Sequence, residues 1–115
     1  ISELLQIEAH NFGLKGDYFS VGGSARVKAR INFWELESPL AKEKDIREHV
    51  EWLLELLTPK KEELICIYTK YKATAGLTIV SYTYNDYNPG FYLEEELIRK
   101  LCELRAALDV DLYTL

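Results

Sequence analysis

The chain has 115 residues, 48% of them hydrophobic and 29% charged, with 19 acidic against 14 basic side chains and a formal net charge of −5. This composition suits one folded domain and excludes a disordered or collagen-like chain. The acidic balance argues against nucleic acid as a partner, and no apolar run approaches the ~20 residues that a membrane span needs.

Residues 2–8 follow a helical pattern with Ser2 as N-cap and Leu4, Leu5 and Ile7 facing a core. The sequence contains no Met and opens on this helix, so the natural N-terminus is expected to extend further. Residues 9–24 hold Gly13, Gly16, Gly22 and Gly23 and read as a loop. Residues 25–36 then alternate. Ala25, Val27, Ala29, Ile31 and Phe33 fall on one face, and Arg26, Lys28, Arg30, Asn32 and Trp34 on the other. Period two with one apolar face predicts a half-buried strand.

Asp45 has the character of an N-cap, with Glu48 three residues on completing a capping box. Ile46, Val50, Leu53, Leu54 and Leu57 follow at helical spacing, and Thr58-Pro59 interrupts. The pattern predicts one helix over 45–57 and another over 59–70, the second burying Leu64, Ile65 and Tyr68. Residues 74–84 are β-branched and aromatic and predict a strand. Asn88-Pro89-Gly90 marks a turn. A last helix over 93–105 points Leu97, Leu101 and Leu104 inward. A final strand alternates Leu108, Val110 and Leu112 with Asp109, Asp111 and Tyr113. The order of elements predicts a single α+β domain over residues 1–115: a two-layer sandwich with a mixed or antiparallel sheet and helices on one face. Cys66 and Cys102 lie among apolar residues of the helices, which predicts two buried free thiols and a cytoplasmic location.

Several of these segments carry a family resemblance. They are Lys15-Gly16-Asp17, the strand end Trp34-Glu35-Leu36-Glu37-Ser38, the helix His49 to Leu57, and Leu93 to Leu104 running into Leu108-Asp109-Val110-Asp111-Leu112-Tyr113. Together they resemble the bacterial family known as domain of unknown function 4279, over nearly the whole chain. The resemblance implies a small α+β protein and carries over no activity and no catalytic residues. Two departures stand out. Members usually open with a strand ahead of the first helix, and they usually end the last helix on glycine or a small residue where this chain has Arg105.

Candidate sites follow from the wet faces of the strands. Arg26, Lys28 and Arg30 form a stripe with about 7 Å between successive side chains. The stripe suits an acidic partner, a phosphate or, least favoured by the acidic total charge, a single strand of RNA; alternatively it pairs across strands with Asp109 and Asp111 on a neighbouring strand. Asp109, Asp111 and Tyr113 share a face that suits acid–base work, or a divalent ion if more oxygen ligands joined it, or alternatively is a solvated strand face. His49 lacks a second His or Cys one helical turn away, and His10 is isolated, so no zinc set assembles and no metal or other cofactor is implied. The cysteines have no neighbours that would activate them, no nucleophile elbow is present, and Gly22-Gly23-Ser24 precedes a strand where a phosphate loop would open a helix. Tyr82, Tyr84, Tyr87, Phe91 and Tyr92 crowd a strand end and the turn after it, as anchors for a protein partner would.

Two functions remain in view. The first is a non-catalytic protein-binding module of regulatory or immunity type, with homo-oligomerisation through an unpaired sheet edge as a variant. The second is a small-ligand binder or weak enzyme in which Trp34, Arg30, Asp111 and Tyr113 converge on the exposed sheet face.

Overall fold

The computed structural model describes residues 5–9, 11–14, 18–20, 26–28, 32–83 and 90–114. The chain divides into two compact units, Ile1–Glu37 and Ser38–Leu115. Its class is mixed α+β.

In the first unit β1 (Asn11–Gly13) pairs antiparallel with β4 (Phe33–Glu35), and β2 (Tyr18–Ser20) pairs antiparallel with β3 (Arg26–Lys28). Two expectations are corrected. The stretch 9–24 is not simply a loop, because it contains β1 and β2. The alternating stretch 25–36 is not one strand either: its two ends pair with different partners, and Asn32 lies outside any ladder. Glycine content concealed β1. Gly13 stands opposite Phe33, and a Cβ at Gly13 would meet Phe33 Cε1 at 2.6 Å. Glycine there admits the ring rather than ending the strand. Leu5 is fully buried and Ile7 half-buried, while Ser2 and Leu4 lie outside the described residues.

The second unit opens with α1 (Ile46–Leu57), whose start is the predicted capping box. The Arg47 N–H donates to Asp45 Oδ1 at 3.3 Å, and the Asp45 N–H donates to Glu48 Oε2 at 3.2 Å. These bonds satisfy donors that a helix start leaves open. At Pro59 the chain tightens into a short 3₁₀ turn over Thr58–Lys60, then resumes as α2 (Lys61–Tyr71). The buried side chain of α2 is Ile67, while Leu64, Ile65 and Tyr68 are half-buried. The predicted inward face is therefore rotated toward Ile67.

Next come β5 (Ala75–Thr83), α3 (Glu95–Glu103) and β6 (Ala106–Thr114). The two strands pair in parallel, from Ala75 beside Ala106 to Thr83 beside Thr114. Parallel pairing needs a crossover connection that carries the chain back to the starting edge, and the segment containing α3 supplies it. Burial alternates along β5: Leu77, Ile79 and Thr83 are partly or fully buried, and Gly76, Thr78, Val80 and Tyr82 are exposed.

The core joins Val50 and Leu54 of α1, Leu97 and Leu101 of α3, Leu104 just beyond α3, and Ile79 of β5. Half-buried Val110 and Ala106 of β6 pack against it. The helices thus cover one face of the pair, giving the two layers expected. Each of these side chains contributes roughly 25 cal/mol per Å² of apolar area removed from water.

Both α2 and α3 are followed by a left-handed basic residue, Arg105 directly before β6 and Lys72 three residues before β5. Lys72 has φ +51° and Arg105 has φ +55°. The Arg105 N–H donates to the Cys102 carbonyl at 2.9 Å, and the Ala73 N–H to the Tyr68 carbonyl at 3.1 Å. The final turn thus has left-handed geometry although glycine is absent. A cation at a helix C-terminus also offsets the negative end of the dipole.

Two further expectations about burial fail. Cys66 and Cys102 are exposed. Each follows or precedes a buried residue by one position, about 100° around the helix, and so turns outward. Leu108 and Leu112 are 48% and 62% exposed. They share a strand side with Val110 but are not covered as it is.

Candidate functional site

The uncovered face of β5–β6 carries the largest set of predicted site residues. Period-two alternation in a parallel pair sends neighbours of matching register to the same side. The outer side therefore reads in rows along the strands: Gly76 beside Ala107, Thr78 beside Asp109, Val80 beside Asp111, and Tyr82 beside Tyr113. Small groups give way to carboxylates and then to aromatic rings. Val80, Tyr82 and Tyr113 are 47%, 53% and 49% exposed. The two tyrosine rings stack, with centroids 5.4 Å apart and planes 24° from parallel. Stacking turns one face of each ring toward the other and sets two half-exposed aromatic side chains together at the end of the row.

Asp109 is exposed and Asp111 half-buried, and neither has an ion-pair partner among the described residues. Four other acids of the second unit are paired. Glu95 pairs with Arg99 and Glu96 with Lys100, each one turn apart, while Glu51 and Glu94 both meet Arg47.

The other predicted residues are placed as follows. Arg26 and Lys28 lie on β3, opposite Ser20 and Tyr18, so the described strand pairing sets neither beside Asp109 or Asp111. Arg30 and Tyr87 lie outside the described residues, as do His10, Tyr84 and Gly22-Gly23-Ser24. Trp34 is half-buried on β4, paired with Phe12. Tyr92 is 72% exposed.

Tyr92 belongs to a cleft of about 620 Å³ beside the C-terminal half of β5, lined by Glu43, Lys44, Asp45, Ile46, Ser81, Gly90, Phe91 and Tyr92. Asp111 and Tyr113 are not among its walls. The cleft is open, and Asp45, its carboxylate nearest the helix, is already committed to the capping box.

One contact was missed in the sequence. Ser38 Oγ lies 2.7 Å from His49 Nδ1 and accepts from the Leu40 N–H at 3.3 Å. The residues are 11 apart, so no local spacing announces them. A nucleophile–base pair also needs a third group to orient the base and donors for an oxyanion. His49 has no carboxylate partner among the described residues, and the hydroxyl is held by the turn at Leu40. The pair fixes how the chain enters α1.

Among the described residues no group of three or more His, Cys, Asp or Glu side chains gathers as a metal site would, and no helix is long and apolar enough to cross a membrane. No curated protein and no solved structure matches the chain. The family described as Domain of unknown function (DUF4279) matches residues 1–115, the whole length that carries the strand-end and closing-strand motifs, and the chain belongs to that family.

Proposed function

We propose that the chain is a non-catalytic protein-binding module of regulatory or immunity type, acting in the bacterial cytoplasm, with the outer face of β5–β6 as its docking surface. The observation that supports this reading is the exposed group Val80, Tyr82 and Tyr113, presented on a regular strand pair whose other face packs against the helices through Leu77, Ile79, Ala106 and Val110. Tyrosine brings large contact area with only two side-chain torsions to freeze, which favours it at protein interfaces. A strand pair held by a core on its far side offers that area pre-organised, so little ordering cost remains on binding. The two free thiols fit a reducing compartment.

Site-directed photo-crosslinking in cells tests the reading. A photoreactive phenylalanine at position 82 is expected to yield a discrete protein adduct that the same group at exposed position 62 of α2 does not. Equal labelling at both positions, or none at either, overturns the proposal.

A further inference from the structure

The same face also indicates what kind of segment occupies it, an inference that rests on the binding reading above. We propose that the outer face of β5–β6 receives an extended, cationic polypeptide segment, with Lys or Arg at alternate positions lying along the row Asp109, Asp111, Tyr113.

Spacing is the first argument. Asp109, Asp111 and Tyr113 are successive outward positions of one strand. Residues two apart in a strand are separated by about 6.6 Å. A ligand in extended conformation repeats its side chains at the same interval, so its positions i, i+2 and i+4 meet the three groups in step.

Chemistry is the second. Both carboxylates lack an ion-pair partner among the described residues, whereas Glu95 and Glu96 on α3 have cations one turn away. The stacked Tyr82–Tyr113 rings, 5.4 Å apart, expose π surface at the end of the row. A guanidinium or ammonium group over such a face is attracted by the ring quadrupole. Thr78 and Val80 flank the carboxylates on β5 and give the aliphatic stems of Lys or Arg a surface to lie on.

Charge argues against the other occupants. The chain carries a net charge of −5, which draws cationic segments toward it and repels nucleic acid. A second copy docked face to face would bring no cation to the acidic row, because an isologous interface is built from the same patch on both copies and this one holds no Lys or Arg.

The test is a titration of the full chain, by fluorescence anisotropy, with labelled ten-residue peptides alternating Lys and Thr or Glu and Thr. The Lys peptide is expected to bind saturably and the Glu peptide not at all. Asp109→Asn with Asp111→Asn is expected to weaken binding at least tenfold. Glu62→Gln with Glu63→Gln removes the same charge from exposed positions on α2 and is expected to change binding less than twofold. All four positions lie at the surface or half-buried, and circular dichroism of each variant checks that it folds. No binding of the Lys peptide, or equal weakening by the two double variants, overturns the proposal. A position-82 adduct that is a second copy of the chain, or a partner whose capture survives Asp109→Asn with Asp111→Asn, also overturns the cationic segment while leaving the docking face standing. Loss of every adduct removes both.

Discussion

The Tyr68 hydroxyl donates to the Leu104 carbonyl at 2.8 Å, tying the last turn of α2 to the end of α3 across 36 residues. That carbonyl belongs to the set a helix terminus leaves without an internal partner, so the phenol completes the helix end. Burial raises the phenol above its ordinary pKa of 10.0, and the nearby Arg105 charge pulls the other way. Tyr68→Phe is expected to cost about 1 kcal/mol at neutral pH, read from urea unfolding.

The same phenol predicts a pH signature. Above pH 10 the unfolded chain loses the Tyr68 proton first, so it binds fewer protons than the folded chain and stability falls as pH rises. The contribution is whole below pH 10 and is lost as pH climbs through the raised folded value. The stability gap between wild type and Tyr68→Phe is therefore expected to shrink above pH 10. A gap that widens there contradicts the assigned burial.

Arg105 occupies left-handed backbone at φ +55°, a conformation that costs L-residues about 1–2 kcal/mol and glycine almost nothing. Arg105→Gly is expected to match or exceed the wild-type melting temperature. Arg105→Val, β-branched in the same conformation, is expected to lower stability by about 1 kcal/mol or more.

Leu97 and Ile98 are adjacent on α3 but face opposite environments, at 5% and 54% exposure. Leu97→Ala is expected to destabilise by about 2–5 kcal/mol through lost burial and the cavity left behind. Ile98→Ala is expected to stay within roughly 0.5 kcal/mol of wild type. Chemical denaturation of the two variants, side by side, checks the packing of α3.

Gly13→Ala places a methyl against the edge of Phe33, at 2.6 Å from Cε1, and the ring must swing aside. A cost of about 1–3 kcal/mol is expected in the first unit. Adding Phe33→Leu, which withdraws the ring, is expected to recover part of it. Hydrogen exchange of the β1 and β4 amides locates the effect.

Local order was legible in the residues themselves. Asp45 with Glu48 announces α1, Pro59 the break before α2, a β-branched and aromatic run β5, and alternation β6, because caps, proline and period are decided within a few positions. Leu97, Leu101 and Leu104 were assigned inward for the same reason: helical spacing alone sets which side of α3 is apolar. Tertiary structure decided the rest. That β5 and β6 run parallel, that Gly13 faces Phe33, that Ser38 meets His49 and Tyr68 meets Leu104, and that Asp109 and Asp111 stand beside Thr78 and Val80 are matters of pairing between distant segments. Alternation reports that a strand has two faces, yet it is silent on which neighbour covers each one. Leu108 and Leu112 show the consequence: their period is that of buried residues, yet they are exposed, although Ala106 and Val110 on the same strand side pack against the core.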